Sequence, residues 1–155
     1  MRDYFYFKDL QSAIVLKLHA ELKVSFPAYL KVFSKITTQT SLKLLETYPL
    51  AADMLAAPKD ELVKTIRSTA RFGETYALAK YDAICTAAKD AAVFGRSLPS
   101  SALRIRLYIK TCREYQEYLD SILKELHKAV NTLEGTPVYD RILLLQSLRG
   151  ISFLS

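Results

Sequence analysis

From Ile105 to Leu133 the chain places Ile105, Tyr108, Cys112, Tyr115, Leu119, Ile122, Leu126, Ala129 and Leu133 at alternating spacings of three and four. No Gly or Pro interrupts the interior between Pro99 and Glu134. On a helix of 3.6 residues per turn these nine positions fall on one seam, and the unbroken alternation defines four heptads of coiled-coil type. A helix of about 35 residues is roughly 50 Å long, well beyond the usual length in a compact domain, and needs a partner along its whole extent. Burying Leu119, Ile122, Leu126 and Leu133 contributes about 1.5 to 3 kcal/mol apiece. Any part of the seam that the chain itself leaves uncovered is therefore expected to be covered by a second copy.

The rest of the chain reads as helix as well. Leu10, Ile14, Leu18, Leu22 and Phe26 form a continuous i, i+4 row, which predicts a helix of about six turns ending at Pro27. Beyond it, "PAYLKVF" restarts as a short turn, and the hydroxyls of "SKITTQTS" are N-cap candidates for "SLKLLETY". Pro49 and Pro58 each mark a new helix, and Asp60 and Glu61 suit the positive end of the second one. "RFGETYALAKYDAICTAAKDAAVF", between Gly73 and Gly95, carries Ala77, Tyr81, Ile84, Ala88 and Ala91 at helical spacing, small enough to let a neighbour approach closely. Gly135 supplies the stop for the heptad helix and Pro137 the restart of a last one. The expected fold is all-α: two long helices forming an antiparallel coiled-coil-like hairpin, with a cap of short helices between them over about 40–96.

Composition agrees with this class. At 50% hydrophobic and 25% charged, with 4 Gly and 5 Pro in 155 residues, the chain has the makings of one ordinary globular core and few strand turns. No apolar run reaches the length of a membrane span, and "MRDYFYFKDL" lacks the features of a secretory leader, so a soluble, cytoplasmic protein is expected. Cys85 and Cys112 lie in apolar helical stretches without CxxC spacing; reduced core cysteines are the first reading, a metal site or a disulfide the alternatives.

No catalytic constellation stands out. His19 and His127 are isolated on long helices and read as partly exposed helix residues. Glu114, Glu117 and Asp120 follow Arg104, Arg106, Lys110 and Arg113 on one helix, and charge pairing explains them better than a Mg²⁺ site. There is no phosphate-binding glycine loop, HExxH, zinc spacing or GxSxG. The net charge of +6 points to an anionic partner, nucleic acid before an acidic membrane. The four cations open a helix where its dipole disfavours positive charge, and a phosphate backbone would relieve that conflict. The competing reading is a solvated face neutralised by Glu114, Glu117 and salt.

Several stretches in order, "KLHAEL" at 17–22, "LLETYPLAADMLAAPKDELVKTIR" at 44–67, "RFGETYALAKYDAICTAAKDA" at 71–91, the heptad helix, and "LLLQSLRGIS" at 143–152, resemble the IS-one-ten family of insertion-sequence transposases. The resemblance spans nearly the whole chain. It implies the helical segment (1–136) between a RuvC-like nuclease domain, with acidic Mg²⁺ ligands, and a C-terminal domain bearing a nucleophilic serine, whose beginning would be 137–155. It also implies dimerisation and interdomain linkage in DNA transposition, with DNA and guide RNA as partners of the full-length architecture. The chain is then expected to be a piece of a longer transposase, since the acidic tetrad and the serine would lie outside it; no activity and no cofactor are expected of this segment alone. Where the family has a Pro-Gly-Ile-Gly hairpin, this chain has Arg149, Gly150, Ile151 and Ser152, two of the four departing. The nucleic-acid-binding candidates are thus Arg71, Arg104, Arg106, Lys110, Arg113, Arg149 and Gly150. The aromatic cluster from Tyr4 to Phe7 is expected to pack against the absent domain or in a dimer. The alternative to the transposase reading is a helical scaffold or regulatory protein that binds another protein through the heptad seam.

Overall fold

A computed structural model describes residues 2–69, 73–94 and 98–147, the side chains of 94 and 145–147 excepted. Among the described residues the chain is all-α: α1 Arg2–Ser25, a 3-10 turn Pro27–Lys31, α2 Gln39–Thr47, α3 Ala51–Ala56, α4 Lys59–Thr69, α5 Glu74–Phe94, α6 Pro99–Asn131 and α7 Pro137–Ser147.

Local chemistry accounts for most boundaries. Pro27 leaves α1 without a continuing donor, and the 3-10 turn takes over with Tyr29 N–H donating to the Phe26 carbonyl at 3.1 Å. The Thr38 hydroxyl accepts from Ser41 N–H at 3.4 Å and caps α2. The Asp53 carboxylate reaches back to Leu50 N–H at 3.2 Å and opens α3. Pro99 and Pro137 each occupy the first position of a helix, where a missing N–H costs nothing. At the end of α6 the carbonyl acceptors tighten to i−3 spacing, and Gly135 adopts φ +82°, a left-handed conformation that side chains with a Cβ resist.

The chain forms two compact units, Ser12–Cys112 and Met1–Gln11 with Arg113–Ser155. In the first, α5 packs against α3, α4 and the 3-10 turn, and α2 against α4. Its core joins Leu18, Leu22 and Phe26 of the α1 row to Leu44, Leu45, Met54, Leu62, Ile66 and Ile84, with Ile105 and Ile109 of α6 also fully enclosed. Ala77, Ala88 and Ala91 are buried on α5 as their spacing predicts. Tyr29 is buried in full, and its hydroxyl lies 3.2 Å from the Ser41 carbonyl and 3.1 Å from the Ser41 hydroxyl. Burial pushes the Tyr29 phenol pKa up, so it stays a neutral donor.

The second unit has a thinner interior. Tyr4 and Leu119 are buried, and Phe7 stands 6.2 Å from Tyr115 and 5.6 Å from Tyr118, ring centre to ring centre. Gln11 donates to Gln116 at 2.9 Å. Both cysteines are free thiols, Cys112 buried and Cys85 half-buried. No helix among the described residues is long and apolar enough to cross a membrane.

Candidate association seam and basic surface

The seam divides by burial. In the unit 12–112, Ile105 and Cys112 are buried and Tyr108 is half-buried. In the other unit, Tyr115 is half-buried and Leu119 buried; Ile122 and Leu126 are half-buried, and Ala129 and Leu133 are exposed. Heptad reading alone missed Ile109, which flanks the seam and is fully enclosed. Its signal was the i, i+4 relation to Ile105.

Ser121, Ile122, Glu125 and Leu126 line an open groove along α6. The positions that would flank the facing helix in a coiled coil are Gln116, Tyr118, Leu123, Glu125, Val130 and Thr132. Glu125 is the one charge among these six, and Lys128 holds it at 2.7 Å, which keeps its carboxyl pKa below the ordinary range. A surface so poor in charge lets a second identical surface approach without like-charge repulsion. The same unit exposes Phe5, Tyr6 and Tyr118, each about half.

The basic run on α6 is placed differently. Arg104 forms a two-pronged ion pair with Glu21, both contacts at 2.9 Å, and the Glu21 side chain is only 14% exposed. Arg106 donates from Nε to the Glu46 carbonyl at 3.0 Å, capping the C-terminal end of α2, whose negative dipole end suits a cation. Two of the four cations therefore serve the fold of their own unit. Lys110 is exposed and Arg113 half-buried, and each has interactions within the chain. Arg71, Arg149 and Gly150 lie outside the described residues, as does the Ile151 to Ser152 part of the departing hairpin.

The Arg104 guanidinium bonds Glu21 and holds its carboxyl below the ordinary value of 4.5, against the opposing effect of desolvation. A carboxyl with a folded-state pKa below its unfolded value adds stability at neutral pH and loses it as pH falls through the folded value. Wild type is expected to out-stabilise Glu21→Gln at pH 7, with the difference in urea midpoint shrinking below about pH 4.5. A difference constant from neutral to acid pH would show that the pair does not act through charge.

His19 is half-buried on α1, and His127 is exposed on α6 with Nδ1 at 2.7 Å from the Leu123 carbonyl, a local helix contact. Among the described residues no three His, Cys, Asp or Glu side chains converge as a metal site requires. Asp120 of the acidic patch accepts from Gln116 at 2.9 Å. No family model, no curated protein and no solved structure matches the chain.

Proposed function

We propose that the chain is the dimerising interdomain segment of a DNA transposase, contacting nucleic acid and carrying no catalysis of its own. One observation carries the association: the heptad pattern continues through Ile122, Leu126, Ala129 and Leu133 while burial along α6 thins, the first two half-buried and the last two exposed. The occupant is a second copy, because the flanks of that half-seam hold a single charge, already neutralised by Lys128. The transposase part rests on the ordered resemblance of "LLETYPLAADMLAAPKDELVKTIR", "RFGETYALAKYDAICTAAKDA" and their neighbours to the IS-one-ten family. We take α1 and α6 as the two arms of a hairpin. The ring contacts of Phe7 with Tyr115 and Tyr118 support this in one unit, and the Glu21–Arg104 pair in the other.

Light scattering on the full chain tests the association. The expected mass is twice 17.6 kDa at tens of micromolar, and a mass of 17.6 kDa would overturn it. Incubated with duplex DNA and Mg²⁺ or Mn²⁺, the chain is expected to leave strands uncut, since metal-assisted phosphoryl transfer needs converging carboxylates. Cleavage that disappears on replacing Glu114, Glu117 or Asp120 would contradict this.

The scaffold reading has a specific observation in its favour. Arg104 and Arg106, the head of the basic run, are engaged inside their own unit. Under that reading the dimer persists but binds no polyanion, and the binding measurements below separate the two.

A further inference from the structure

The positive charge is unevenly divided. Residues 12–112 hold fifteen Lys and Arg against eight Asp and Glu, whereas the remainder holds seven against eight. The whole excess of +6 thus belongs to the unit 12–112. Within it, the stretch from Leu10 to Leu45 contains five lysines and Glu21 as its one acidic residue. Arg104 neutralises Glu21, and Lys43 lies 3.7 Å from Glu46. Lys17, Lys23, Lys31 and Lys35 are exposed, and among the described residues no hydrogen bond or ion pair engages any of their four side-chain ammonium groups.

These lysines are mounted on a firm support. Successive hydrogen bonds from Phe26 N–H to Leu22, Tyr29 N–H to Phe26 and Val32 N–H to Tyr29 carry α1 into the 3-10 turn. Leu18, Leu22, Phe26, Tyr29, Val32 and Phe33 anchor that stretch in the core. Lys80 of α5 donates to the Val32 carbonyl and lies over the rings of Phe33 and Tyr76, at 5.1 and 5.6 Å, adding a cation beside Lys31. Four ammonium groups on a fixed backbone lose little freedom beyond their own side chains on meeting a polyanion.

We propose that Lys17, Lys23, Lys31 and Lys35 form the chain's binding surface for a nucleic-acid phosphate backbone, in place of the α6 run. A membrane surface suits the same charge less well. Leu18, Leu22 and Phe26 of the α1 row are turned into the core, and the exposed apolar residues of the lysine stretch, Ala13, Leu16, Ala20 and Val24, include only two large side chains, a small face to insert. The proposal deepens the transposase reading and rests on it for the identity of the polyanion. The location of the surface rests on charge and burial alone.

The test compares the full chain with three variants: the four lysines replaced by Gln, Lys110 and Arg113 replaced by Gln, and a charge-matched control with Lys64, Arg67, Lys89 and Lys124 replaced by Gln. Binding to a short mixed-sequence duplex is followed against salt, with vesicles of anionic phospholipid as a parallel probe. Each phosphate neutralised contributes about −0.9 to the slope of log K against log salt. Wild type is expected near −3 or slightly steeper, with affinity falling about sixty-fold from about 50 to 200 mM salt. The four-lysine variant is expected to be shallower by about 3 and at least about tenfold weaker at 50 mM, the other two nearly unchanged. Circular dichroism and the dimer mass should be those of wild type, because none of the four ammonium groups makes a hydrogen bond or ion pair among the described residues. Equal losses in the control would reduce the effect to net charge, and a loss confined to the Lys110 and Arg113 variant would return the surface to α6. Binding of vesicles but not duplex would overturn the choice of partner, and no binding of either would overturn the proposal. A monomeric mass with lysine-dependent binding intact would instead fault the dimer reading alone.

Discussion

Leu126→Asp is expected to turn a dimer into a folded monomer, whereas Leu119→Asp is expected to unfold the segment around it. The two leucines occupy equivalent heptad positions seven residues apart, and only their surroundings differ. Leu119 is 4% exposed within its own chain, so a carboxylate there loses most of its hydration. A buried charge left unpaired costs several kcal/mol, enough to exhaust the stability of a small packed unit. Leu126 is half-buried and lines an open groove. A carboxylate at that position keeps part of its hydration in the monomer and loses the rest only when a second copy covers it, so most of the cost falls on association. Light scattering should then give the monomer mass for Leu126→Asp with helical circular dichroism retained, and Leu119→Asp should lose helicity at any concentration. A dimer that survives Leu126→Asp and also Ile122→Asp would place self-association elsewhere, with the exposed rings of Phe5 and Tyr6 the next surface to probe.

Phe26→Ala should be the most costly single truncation in the unit 12–112. Phe26 closes the i, i+4 row of α1 just before the chain turns at Pro27, and none of its surface is exposed. Its ring centre lies 5.1 Å from that of Tyr29, which in turn stands 5.7 Å from Phe33, so its loss opens a cavity in a stack that the turn itself depends on. Removing a buried Phe costs about 3 to 5 kcal/mol, made up of lost transfer energy and the cavity left behind. For a chain of this length that lowers the thermal midpoint by about 10 °C. Tyr29→Phe is the useful contrast: the volume is kept, and only the bonds between the phenol and Ser41 are lost. That change should cost about 1 kcal/mol. If Phe26→Ala costs no more than Tyr29→Phe, the aromatic stack is not what holds the 3-10 turn in place.

Those two variants also act on the proposed phosphate-binding surface in a distinguishable way. Lys31 and Lys35 follow Phe26 along the chain and depend on the turn for their placement, while Lys17 and Lys23 ride on α1 itself. A Phe26→Ala protein held below its melting temperature should therefore keep part of its salt-dependent binding.

What the sequence determined by itself was local. Helix periods, the prolines at the first turn of α6 and α7, the Thr38 cap and the Gly135 stop depend on residues within a few positions of one another, and the observed helices begin and end close to where those signals lie. The all-α class followed from the same signals. Partners for each surface were decided only by the tertiary structure, because they come from far along the chain. Arg104 reads as a phosphate-facing cation until the fold brings Glu21, 83 residues away, against it. Arg106 reads likewise until the end of α2, 60 residues away, meets its guanidinium. The lysines at 17, 23, 31 and 35 look like ordinary spacing in the sequence. They stand out as a proposed surface once their one acidic neighbour is neutralised and Leu18, Leu22, Phe26, Tyr29, Val32 and Phe33 between them are seen to be buried. The heptad pattern treats Leu119 and Leu133 alike, since periodicity records which face of a helix is apolar and not what covers it. The fold buries the first and leaves the second 36% exposed.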